Sequence, residues 1–99
     1  MSAVPTATAI IVNPTHFAIA IRYEPETMAS PVVVAKGKNY LAKLIREKGM
    51  KYQVPVVENP PLARALYSSA EVGQQIPLEF YRAVAEILAY LYKMMNRTL

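Results

Sequence analysis

The chain has 99 residues, 54% of them hydrophobic, and no cysteine. That length supports one modest core and excludes a second domain, while the lack of thiols excludes disulfides and thiolate metal sites and fits a reducing cytoplasm. The formal charge of +4 is unevenly spread, because Lys36, Lys38, Lys43, Arg46, Lys48 and Lys51 fall close together with Glu47 alone opposing them.

Ala9-Ile10-Ile11-Val12 is a continuous apolar run and reads as a buried strand. Phe17 to Tyr23 alternates large and small residues and reads as a half-buried one. Val32 to Ala35 is predicted as a further buried strand, followed by a helix from Asn39 to Lys48 that stops at Gly49 and turns Tyr40, Leu41, Leu44 and Ile45 inward. In the short strand Val54 to Val57, Pro55 marks an edge or terminal position. Asn59 caps a second helix with Pro60 in its first turn, and Leu62 and Leu66 lie on its apolar side. Gly73 and Pro77 punctuate the chain before a longer last helix, in which Phe80, Val84, Ile87, Leu88 and Leu91 recur at helical spacing. The predicted architecture is a single α/β domain over residues 1–99, with a small mixed sheet of about four strands flanked by helices. No apolar run approaches the length that spans a bilayer, and Met-Ser-Ala-Val-Pro is no signal peptide.

Asn13-Pro14-Thr15-His16, between the first two strands, carries the chemistry. An asparagine usually ages when the next backbone nitrogen attacks its side-chain amide, but Pro14 has no N–H and closes that route. The reverse attack remains: the Asn13 side-chain nitrogen attacks the Asn13 carbonyl carbon, closes a succinimide and expels Pro14 as a new N-terminus. The X-Pro bond is a tertiary amide that distorts more easily than others. Pro14 also drives Asn13 toward extended geometry and suits the second position of a tight turn, so the tetrapeptide reads as a hairpin corner. Strain of about 1–3 kcal/mol there would supply roughly ten- to a hundredfold in rate. The rest must come from alignment of the amide and from donors at the developing oxyanion, which the sequence does not name. His16, the sole histidine, is a candidate to withdraw a proton from the amide or to aim it, against the plainer reading of a turn residue with no chemical part. The Thr15 hydroxyl suits a turn-stabilising bond better than a nucleophilic role.

Other chemistries find little support. A catalytic triad would have to pair His16 with a glutamate, since the chain has no aspartate. With one histidine and no cysteine no metal site is expected, and no cofactor. Lys36-Gly37-Lys38 lacks the spacing of a phosphate loop. The basic cluster has no interleaved aromatics and no nucleic-acid motif, so nucleic acid is not an expected partner. A solvated helix face is its plain reading; acidic partners or anionic lipid headgroups are the others.

The stretches TAIIVNPTHFAIAIRY, PVVVAKGK, VPVVENPPLARALY, VGQQIP and AVAEILAYLY together resemble the cytoplasmic domain of the FlhB/YscU export-switch proteins of flagellar and type III secretion systems. The resemblance runs from Thr8 to about Tyr92 and is far more specific than the tetrapeptide alone. It implies self-cleavage between Asn13 and Pro14, with Thr15 and His16 completing the motif, so that residues 1–13 and 14–99 remain associated as two fragments. It also implies a membrane-embedded parent at the cytoplasmic face of the bacterial inner membrane, from which this chain would be excised, a free-standing homologue being the alternative. The implied partners are other export-apparatus proteins, a length-control protein and secreted substrates. PPLARALY and VGQQIP lean toward the flagellar branch.

The expected function is accordingly a switch of export substrate specificity, activated once per molecule by self-cleavage and not a turnover enzyme. Two alternatives stand beside it: an uncut interaction module docking partners through the basic face, and a hydrolase acting on outside substrates through His16.

Overall fold

A computed structural model describes residues 2–14 and 16–97, with side chains through residue 95. Four strands, β1 (Ala9–Asn13), β2 (Phe17–Arg22), β3 (Val32–Lys38) and β4 (Val56–Glu58), form one sheet in the order β3-β2-β1-β4. The β1–β2 and β2–β3 pairs are antiparallel and β1–β4 is parallel, so the sheet is mixed, as predicted. Helix α1 (Tyr40–Lys51) covers one face; α2 (Pro60–Ser69) and α3 (Tyr81–Arg97) cover the other, with short 3-10 turns at Val4–Thr6 and Leu78–Phe80.

The two cores follow from strand alternation. Ile11, Ile19 and Ile21 face Leu62, Leu66 and Val84. Ile10, Val12, Ala18 and Ala20 face Ala42 and Ile45 of α1. β2, expected to be half-buried, is buried on both faces from Ala18 to Ile21: its isoleucines meet α2 and α3, and its alanines make room for α1. A register shift between Ala20 and Ile21 leaves Val34 as the extra residue of β3 and lets Val33 and Ala35 enter opposite cores.

Helix α1 departs most from expectation. It continues through Gly49 to Lys51, and its buried residues are Ala42, Ile45 and Gly49, while Tyr40 and Leu41 are exposed. Bulk misled the reading, because the helix sits so close to the sheet that small residues form the contact. A Cβ on Gly49 would collide with Cδ1 of the fully buried Ile10. The helix stops instead at Gln53, with φ of 62°. There the Val54 N–H donates to the Gly49 carbonyl at 2.8 Å and the Gln53 N–H to the Met50 carbonyl at 3.1 Å, the paired bonds of a Schellman end. β4 accordingly begins at Val56, after Pro55, on the sheet edge that the proline indicated.

The helix that follows β4 starts as expected: the Asn59 side chain accepts from the Leu62 N–H at 3.3 Å, with Pro60 at the first helical position. Phe80 belongs to the 3-10 turn and leads into α3, where Val84 is fully buried. Among the described residues no helix is long and apolar enough to cross a membrane.

Candidate functional site

Asn13 is the last residue of β1, 9% exposed, paired with Phe17 across the hairpin. β1 is an interior strand held on both sides. One residue before Asn13, the Val12 carbonyl accepts the Asn59 backbone N–H at 2.9 Å, tying the strand's end to the start of α2. Alternation puts Asn13 with Ile11 on the face that α2 covers. Its backbone is therefore fixed by β2, by the β4–α2 junction and by burial.

The chain turns immediately afterwards. The His16 N–H donates to the Asn13 carbonyl oxygen at 2.9 Å, the i to i+3 bond of a β-turn with proline in second place. The hairpin corner is thus present, with Pro14 half-buried and His16 exposed; Thr15 lies outside the described residues. The Asn13 carbonyl oxygen is the atom that would become the oxyanion on attack by the Asn13 side chain, and a backbone N–H already points at it. The spacing alone held the signal, since a four-residue turn closes its first carbonyl on its fourth amide.

His16 is anchored from its other side as well, where its carbonyl accepts the Asn39 N–H at 2.8 Å. Asn39, between β3 and α1, has φ of 57° and ψ of −117°, a conformation that side chains oppose and that costs on the order of 1–3 kcal/mol. Sequence reasoning missed this junction, which is remote in the chain. The His16 ring meets Phe17 edge-on at 6.3 Å, and Phe17 in turn packs on Tyr67 of α2 at 4.8 Å.

Beyond Tyr67 stands Lys36. Its Nζ donates to the Tyr67 and Ala70 carbonyls at 2.9 and 2.8 Å and lies 5.1 Å from the Tyr67 ring centre. Those carbonyls end α2, where a cation is favoured. Lys36 therefore does not belong to the basic face to which its position in the chain assigned it. It points to the opposite side of the sheet and closes a helix.

A second feature had no signature in the sequence. Between the β2–β3 connection and α3 runs an open groove of about 830 Å³, lined by Tyr23, Pro31, Tyr81, Ala85, Leu88 and Tyr92 among others. Its walls are mostly apolar, with Glu26 and Lys93 at the polar margin.

Residues 1–91 match the FlhB HrpN YscU SpaS family. The chain is 56% identical over 91 residues to the flagellar biosynthetic protein FlhB of Aquifex aeolicus and 51% identical over 94 residues to that of Salmonella typhimurium. These alignments cover 92% and 95% of this chain but 26% and 24% of the relatives, so the chain spans about a quarter of their length. The crystal structure of the cytoplasmic domain of FlhB from Shewanella putrefaciens superposes with a TM-score of 0.91 at 40% identity, covering 98% of this chain and 74% of that one. A mutated EscU C-terminal domain gives 0.86 at 34% identity, covering 90% and 89%. With the family match covering nearly the whole chain and the same fold in both solved domains, this protein belongs to the FlhB HrpN YscU SpaS family.

Proposed function

We propose that this domain is a substrate-specificity switch of a flagellar protein-export apparatus, activated by self-cleavage between Asn13 and Pro14. The flagellar branch is favoured by the 56% and 51% identities to flagellar biosynthetic proteins. The observation that carries the cleavage reading is the 2.9 Å hydrogen bond from the His16 N–H to the Asn13 carbonyl oxygen. In the proposed step the side-chain nitrogen of Asn13 bonds to its own carbonyl carbon and the oxygen takes negative charge against that N–H. The bond to Pro14 then breaks, the proton that the attacking amide nitrogen gives up goes to the Pro14 nitrogen, and Asn13 is left as a C-terminal succinimide that water opens. Thr15 and the His16 side chain serve the turn and the aim of the amide.

Cleavage converts a clamped hairpin into two chain ends. The end beginning at Pro14 is then held by His16 and its bond to Asn39, while Ala9–Asn13 stay in the sheet. Export components and substrates would read the altered surface. In this reading the parent protein is anchored in the inner membrane, with this domain on the cytoplasmic side.

Mass spectrometry of the freshly purified chain under denaturant, with N-terminal sequencing, tests the proposal. Two fragments are expected, one beginning Pro14-Thr15-His16. A single uncut chain after long incubation would sink it and favour an uncut docking module.

A further inference from the structure

The solvent side of α1 combines exposed cations with large apolar side chains. Lys43 and Lys51 are exposed along it and Lys48 is half-buried on its flank, with Glu47 opposing them. Between and beside these lysines stand Tyr40 at 69%, Leu41 at 51%, Met50 at 69% and Tyr52 at 50% exposure. Lys51 lies 5.6 Å from the centre of the Tyr52 ring. A basic surface studded with large apolar side chains calls for a partner both anionic and apolar at its boundary.

We propose that this face of α1 docks on an anionic lipid bilayer surface. Two observations favour a bilayer over an acidic protein, and the exposed tyrosines suit either. The exposed cations here are lysines, whereas Arg46 is half-buried; protein interfaces favour arginine and are depleted in lysine, while lysine serves as a diffuse charge toward headgroups. The exposed apolar residues include two tyrosines, whose amphipathic rings suit the boundary between headgroup and acyl chain. Finally, a single helix of 12 residues, about 18 Å long, lying on a sheet gives a convex ridge that meets a plane along its length. Seated in this way, the domain turns α2, α3 and the apolar groove away from the bilayer, because they lie on the opposite face of the sheet. Lys36, committed to α2, takes no part.

Flotation of the 99-residue chain with vesicles tests this, comparing pure phosphatidylcholine with phosphatidylcholine containing about 30% phosphatidylglycerol. Binding is expected to the anionic vesicles alone, at about 0.05 M salt, and to be lost at about 0.5 M. Two double variants remove equal charge from opposite faces. Lys43→Glu with Lys51→Glu is expected to weaken binding about tenfold or more, while Arg64→Glu with Arg82→Glu, both exposed on the far face, leaves it within about twofold. Tyr40→Ser with Met50→Ser is expected to weaken binding while its salt dependence stays the same. Absence of binding to anionic vesicles, or equal losses in the two charge variants, overturns the proposal. So does failure to bind vesicles alongside chemical-shift changes on α1 with a poly-glutamate peptide, which would assign the face to an acidic protein. None of these readouts depends on cleavage, which is scored separately by mass.

Discussion

In the proposed cleavage Asn13 and its neighbours divide the work between side chain and backbone, and substitutions can separate the two. Asn13→Ala removes the nucleophile but leaves the buried strand, so cleavage is expected to vanish while the circular dichroism spectrum stays native. Equal cutting in that variant would point to a contaminating protease. His16→Ala is a sharper test, because the group that faces the Asn13 carbonyl is the backbone N–H, which alanine retains. Cleavage in His16→Ala, followed after cell-free synthesis on denaturing gels, is therefore expected to go to completion at a rate reduced by less than about tenfold. Replacing the amide of residue 16 by an ester through semisynthesis removes that donor and is expected to cost about 10²–10³ in rate. If His16→Ala alone stopped the reaction, the imidazole and not the backbone would be the essential group.

Elements carry the next level of the argument, and α1 and α2 are each held by one unusual residue. Gly49 lies where the helix touches β1, and an alanine there would press on Ile10, which is fully buried and has no free space to swing into. Gly49→Ala is expected to lower stability by about 1–3 kcal/mol, measured by urea unfolding of the uncut Asn13→Ala background; an unchanged midpoint would show that α1 can shift outward. Lys36→Met keeps the packed stem but withdraws two hydrogen bonds from the end of α2, with an expected loss of about 1–3 kcal/mol. These two residues also mark where sequence reading ran out. Strand positions, the Asn59 cap and the Asn13 turn are local and were legible, since alternation, capping and proline chemistry act within a few residues. Gly49 looked like a stop because the criterion was local, while its role is a contact with a strand far back in the chain. Lys36 was grouped with its neighbours in sequence, whereas strand alternation sends it to the other face. The Asn39 clamp and the groove likewise arise from segments brought together only by the fold.

At the scale of the whole molecule, the fold determines what a cut at Asn13 can do. β1 contributes Ile10, Ile11 and Val12 to the two cores and is paired along its length with β2 and from Ile10 to Val12 with β4. Burying each of those side chains contributes about 1.5–3 kcal/mol, and the cut falls beyond the last pair, so no ladder bond of β1 is severed. The cleaved domain should therefore elute from a sizing column as one species and separate into two chains only in denaturant. Its unfolding nevertheless changes in kind. Unfolding of the continuous chain yields one molecule, but unfolding of the cut chain yields two, and mass action then ties its midpoint to concentration. The melting temperature of the cleaved protein is expected to rise with protein concentration, whereas that of uncut Asn13→Ala is expected to stay constant over the same range. Scanning calorimetry of both proteins across a hundredfold dilution, about 2.7 kcal/mol of mass action, distinguishes the cases. A concentration-independent midpoint in the cleaved protein would mean that residues 1–13 leave before the core melts, and that β1 holds the sheet less tightly than its burial implies.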